Sequence, residues 1–175
     1  MSTLSSEKAP SLGLPFRYFV ASLAFLALFG LLLPFNGHLF LGSFLQPGLL
    51  ALVHILTLGW ITTTILGAAF QLVPVALQVS LRTERLANAL LPPYLIGVVT
   101  LVVGLWQFHV TLMIAGSALL LLIALGYLYL MARTLAQVRH WDVIAWHVAA
   151  SVALAALIPL LGLLLALQNR YGILG

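Results

Sequence analysis

The side chains most able to do chemistry in this sequence are five imidazoles in strongly apolar surroundings. The 175 residues contain no cysteine, which excludes thiolate metal sites, iron–sulfur clusters and covalently attached haem. The acids Glu7, Glu84 and Asp142 all fall in predicted tails or loops. Proton-coupled transport usually needs a carboxylate at membrane depth, so transport is disfavoured. A cofactor inside the apolar segments would have to be held by His, Met or backbone groups.

His54 is the imidazole that lies deepest in an apolar run, at residues 48–77. At helical rise it would lie roughly 9 Å below the start of that run. An ionisable side chain at such depth is costly and by default marks a function. Its spacing leaves two interpretations open: a ligand, or a core histidine bonded to a threonine or a backbone carbonyl.

Two faces of the predicted helix differ in character. The face of His54 is apolar with a small residue at each end, which suits a flat macrocycle; it comprises Thr57, Leu58, Ile61, Ile65 and Ala68. Another face carries small residues that let a neighbouring helix or subunit approach closely: Gly59, Thr63 and Gly67. Trp60 is predicted near mid-membrane, where its indole N–H needs a partner.

Composition places these helices in a membrane. The chain is 63% hydrophobic and 6% charged, with a mean hydropathy of +1.20, whereas soluble domains carry about 25% charged residues. The apolar runs are too long for barrel strands, so we predict an all-α polytopic bundle of five transmembrane helices. The predicted spans form one domain, 16–170, after a cytoplasmic tail, 1–15; they are residues 16–33, 48–77, 86–106, 111–130 and 143–167.

The basic residues predict the orientation. Those that the five spans place on the side of the N-terminus are Lys8, Arg17, Arg82, Arg85, Arg133 and Arg139, and only Arg170 falls opposite. Because cytoplasmic loops are enriched in Lys and Arg, we predict N-in and C-out in the inner (cytoplasmic) membrane. The net charge of +4 then reflects topology rather than nucleic-acid binding. Tyr18 and Tyr127 are predicted as interfacial aromatics on the inner side.

The segment from His54 to Val75, HILTLGWITTTILGAAFQLVPV, resembles the second helix of haem–copper oxidase subunit I and of related NnrS-type haem-binding proteins. The shared features are a His near the outer end, then Leu58-Gly59-Trp60, Gly67-Ala68 and Gln71-Leu72-Val73-Pro74. The resemblance covers one helix and implies a short, single-repeat relative in which His54 is an axial ligand of haem b. The later spans lack a His-His motif, so it implies a haem site without the oxidase copper centre.

The second axial ligand is left open among three alternatives. They are His109 at the outer start of the fourth span, Met113 one turn deeper, and the partner subunit's His54 across a two-fold axis. His147 is predicted near the inner surface, roughly 10–15 Å from His54 in height, and is not expected to bind this haem. The predicted cofactor-binding residues are His54, Thr57, Trp60, Ile61, Ile65, His109 and Met113, with His54 and His109 as iron ligands.

Three functions remain in competition. The first is a b-type haem protein for electron transfer or diatomic-gas response, as the resemblance implies. The second is a non-catalytic membrane scaffold or assembly protein with a structural His54. The third is a quinone-interacting redox subunit with Trp60 and Gln71 near a lipid-facing site. The expected partners are the lipid bilayer, a second copy in a homodimer, and a quinone or redox protein; whether the chain is an enzyme stays open.

Overall fold

The computed structural model describes residues 11–171, and that part of the chain is helical without a strand. Within these residues, five helices are long and apolar enough to cross a membrane, which confirms the predicted fold class. The elements are α1 (Gly13–Asn36), a 3-10 turn (Gly37–Leu41), α2 (Pro47–His54), a π-helical segment (Ile55–Thr62), α3 (Thr63–Ala76), α4 (Glu84–Trp106), α5 (Val110–Leu135) and α6 (Val143–Tyr171). Together, α2, the π-helical segment and α3 form one continuous helix, the second span, Pro47–Ala76.

The ends of the spans follow local chemistry. Pro47 occupies the first turn of α2, where a missing N–H costs nothing. Left-handed backbone at Gln78 and Phe108, each with φ of 53°, turns the chain after the second span and after α4. The predicted boundaries differ from these by a few residues. Residues 13–15 of the predicted tail are helical, and residues 1–10 lie outside the described residues.

The spans pack mainly as neighbours in sequence order. α1 lies along the second span, the second span contacts α4, α4 packs along α5, and α5 packs along α6. The Tyr18 hydroxyl adds a tie from α1 to α4 by donating a 2.7 Å hydrogen bond to the Ala87 carbonyl. Tyr18 is 1% exposed, and its hydroxyl is satisfied by backbone rather than by headgroups or water. Its position near the inner surface of the membrane stays a prediction.

The small-residue face of the second span receives α1 of the same chain. A Cβ added at Gly59 would lie 2.5 Å from the Phe25 ring. One added at Gly67 would lie 2.7 Å from the Tyr18 Cβ. Thr63, between them, is fully buried. The close approach of another helix to this small-residue face is therefore confirmed, and the helix is α1 of the same chain.

Polar side chains join the helices at the end of the bundle where α1 and α4 begin. The Glu84 carboxylate accepts hydrogen bonds from the backbone N–H and the hydroxyl of Ser11, at 3.1 and 2.9 Å. Arg17 donates to the Asn88 side chain at 3.1 Å. These contacts fix the starts of α1 and α4 side by side.

Candidate functional site in a cavity beside the second span

A cavity of about 370 Å³ lies between the second span, α4, α5 and α6. Most of its wall is apolar, and the polar groups come from a few side chains: His54, Thr57, Thr62, Tyr94, Ser117 and Tyr127. Ligand pockets in proteins have this character, with volumes of about 300–1,000 Å³ and few polar groups. The cavity persists because α6 packs chiefly on α5 rather than on the second span.

The hydrogen bond made by His54 fixes its chemistry. The Nδ1 atom lies 2.7 Å from the Leu50 carbonyl oxygen, four residues earlier. A carbonyl oxygen can only accept, so Nδ1 carries the proton and donates it. The neutral ring is then left with an unprotonated Nε2, the form in which imidazole binds a metal. His54 is half-buried and borders the cavity.

The second span changes its helical pitch directly after His54. Residues Ile55–Thr62 form a π-helix, whose backbone bonds reach five residues instead of four. The Leu58 carbonyl in this segment accepts a hydrogen bond from the Tyr94 hydroxyl at 2.7 Å and another from Thr63 Oγ1 at 3.0 Å. Such π-helical turns are rare and frequently lie at functional sites.

The π-helical turns change which residues share the face of His54. The residues of the second span that border the cavity beside His54 are Thr57, Leu58, Thr62 and Leu66. Ile61 and Ile65, predicted on that face from regular α-helical spacing, are 41% and 58% exposed and do not border the cavity. Each residue of a π-helix rotates by a smaller angle about the helix axis than a residue of an α-helix. The residues that face the cavity therefore differ from those predicted from α-helical spacing.

The far wall of the cavity supplies hydroxyl groups. Tyr94 on α4 and Tyr127 on α5 both border it. Tyr127 also packs edge-on against Phe70, with ring centroids 5.6 Å apart. Ser117 on α5 is 4% exposed and also borders the cavity. Tyr127, predicted as an interfacial aromatic, therefore belongs to the wall of an internal site.

His109 and Met113, the two predicted second ligands from the same chain, do not border the cavity that His54 borders. His109 is exposed, and its ring nitrogen accepts a 3.4 Å hydrogen bond from the Leu112 N–H at the start of α5. Met113 is 3% exposed in the core formed by α4 and α5 and does not border the cavity. Trp60 is half-buried and also lies outside the cavity wall. Of the predicted site residues, His54 and Thr57 are the two that the cavity brings together.

The remaining histidines lie apart from this site. His38, His140 and His147 are exposed, and none of them borders the cavity. His147 repeats the ring geometry of His54, with Nδ1 2.7 Å from the Val143 carbonyl. Across residues 11–171 no three His, Asp or Glu side chains come together as a metal-binding group. The cavity can therefore offer a single imidazole to a ligand, together with hydroxyl donors.

Sequence reasoning missed Thr62, Tyr94, Ser117 and Tyr127 as site residues. The available signal was the presence of hydroxyl side chains in apolar spans, because each needs a partner inside a membrane. Periodicity could not assign them to one cavity, since that depends on how four helices meet. In comparisons with known proteins, this chain matches no family model, no curated protein and no solved structure.

Proposed function

We propose that the cavity binds a b-type haem with His54 as an axial ligand, and that the chain serves electron transfer or diatomic-gas response in the inner membrane. The observation that carries this proposal is the position of His54 at the border of a largely apolar cavity, with Nδ1 bonded to the Leu50 carbonyl so that the lone pair of the neutral ring lies on Nε2. The resemblance of residues 54–75 to the second helix of haem–copper oxidase subunit I supports it.

The residues present have definable roles toward such a group. The bond from Nδ1 to the Leu50 carbonyl holds the tautomer and raises the basicity of the liganding nitrogen. The apolar wall excludes water, and Ser117 and Tyr127 place hydroxyl groups along it. The hydroxyls of Thr57 and Tyr94 already donate to the Val53 and Leu58 carbonyls. A bound haem would supply one-electron chemistry at its iron. No second His or Met side chain borders the cavity in the part of the chain described, so we propose that another chain supplies the second axial ligand, with the partner subunit's His54 as the candidate.

The test is the absorption spectrum of the purified membrane protein with a matched pair of variants. His54→Ala should abolish the Soret band, because it removes the iron ligand. His147→Ala should keep it, because that ring makes the same backbone bond but lies outside the cavity. A colourless, stably folded wild type would overturn the proposal and favour the scaffold alternative.

A quinone head group is a second candidate for the same cavity. The Ser117 and Tyr127 hydroxyls both border the cavity and could donate hydrogen bonds to quinone carbonyls. The quinone site was predicted at Trp60 and Gln71, but neither residue borders the cavity. A short-chain ubiquinone analogue should bind the wild type and lose affinity in Ser117→Ala if this candidate is right.

A further inference from the structure

Tyr94 holds one carbonyl group of the π-helical segment. Its ring is 6% exposed where α4 meets the second span, and its hydroxyl donates to the Leu58 carbonyl at 2.7 Å. Thr63 Oγ1 donates to the same oxygen at 3.0 Å. In an α-helix the Leu58 carbonyl would accept a hydrogen bond from the backbone N–H four residues later. Because two hydroxyl groups already donate to this carbonyl, its hydrogen-bonding capacity is satisfied without that N–H. These donors therefore stabilise the π-helical turn against return to an α-helix.

The pitch of this segment decides which way His54 points relative to the rest of the span. In a uniform α-helix each residue advances about 100°, so His54 and Leu66, twelve residues apart, would point about 120° apart. Yet both border the same cavity, as do Leu58 and Thr62 between them. The wider turns of Ile55–Thr62 absorb this angular drift. If the segment became α-helical, His54 or α3 would rotate away from the cavity.

We propose that Tyr94 is a positioning residue: its bond to the Leu58 carbonyl maintains the π-helical segment that directs His54 and Thr57 into the cavity. This inference rests on the proposed role of His54 as the ligand of that cavity. It assigns to Tyr94 a part that is distinct from contact with the ligand itself. Tyr127, a second tyrosine in the same wall, has no bond to the π-helical segment and makes the matched comparison.

The chain lacks cysteine, so a single introduced thiol reports on one position. Thr57→Cys places it on the π-helical segment, and Ser117→Cys places it on α5 across the same cavity. The labelling rate with a small thiol reagent is measured for each in the wild-type, Tyr94→Phe and Tyr127→Phe backgrounds. We expect Tyr94→Phe to slow labelling severalfold at position 57 and to leave position 117 unchanged. Tyr127→Phe should change neither rate.

Two outcomes would overturn the inference: equal slowing at positions 57 and 117, which makes Tyr94 a general support of the fold, or no change at either. If Tyr94→Phe does not fold, Thr63→Val removes the second donor at similar volume, and the same selective slowing is expected. The labelling needs no bound haem. A colourless wild type with selective slowing at position 57 would therefore reject the haem proposal and support the positioning role of Tyr94. A pigmented wild type without selective slowing would support the haem proposal and reject the positioning role of Tyr94.

Discussion

His54 and His147 make the same hydrogen bond to the backbone but differ in whether they can bind a ligand in the cavity. Both rings donate from Nδ1 to a carbonyl four residues earlier at 2.7 Å, so in the neutral form of each ring the lone pair lies on Nε2. Only His54 borders the cavity, whereas His147 is exposed near the start of α6. The chemistry of each ring is thus set by what lies around Nε2 and not by the residue type.

The positions of His109 and Met113 lead to a prediction about the second ligand. We expect His109→Ala and Met113→Leu each to retain the haem spectrum, because one ring caps α5 outside the cavity and the other side chain is enclosed in the core. The Soret band and the reduced-minus-oxidised difference spectrum of each purified variant measure this. Loss of the low-spin spectrum in either folded variant would place the second ligand at that residue.

At the scale of the helices, hydropathy predicted the five spans but could not predict the π-helical segment. Replacing α-helical by π-helical turns leaves the mean hydropathy of the second span unchanged. The face predicted from regular α-helical spacing therefore included Ile61 and Ile65, which do not border the cavity. The small-residue stripe was predictable, because Gly59 and Gly67 at this spacing require a close neighbour. That the neighbour is α1 of the same chain depends on tertiary packing, which spacing does not encode.

The contact between α1 and the second span yields a stability prediction. Gly59→Ala should lower the free energy of unfolding by about 1–3 kcal/mol, the usual cost of overpacking, because the new methyl would meet the Phe25 ring and its Cβ at 2.5 and 2.8 Å. Thermal unfolding in detergent measures the change. Gly30→Ala in α1 is the control, since nothing lies within 4 Å of its Cβ position. Equal stability of the two variants would mean that α1 does not approach the second span this closely.

At the scale of the whole molecule, the bundle places most basic residues at one end. Arg17 near the start of α1, Arg85 in the first turn of α4 and Arg133 in the last turn of α5 lie at that end. Ser11, Glu84 and Asn88 are hydrogen-bonded there. The fold was predictable from apolar run lengths, and the cavity was not. Its wall needs four helices to meet, and single-helix patterns carry no information about their mutual rotation.

The orientation predicted from the basic residues can be tested with single thiols in this cysteine-free sequence. Gln107 lies in the exposed turn between α4 and α5, and His140 is exposed between α5 and α6, at opposite ends of α5. With the N-terminus inside, Gln107→Cys should react with a membrane-impermeant maleimide in cells whose outer membrane has been permeabilised. His140→Cys should react only after the inner membrane is broken. The opposite pattern would reverse the topology.

The most direct test of the central proposal is a spin-echo spectrum of the oxidised protein with isotopically labelled histidine. If Nε2 of His54 binds the haem iron, the wild type should show an imidazole nitrogen coupled to the iron. His54→Ala should lose that coupling, and His147→Ala should keep it. An unchanged imidazole coupling in folded, haem-loaded His54→Ala would show that the iron is held by other residues and would contradict the assignment of this cavity.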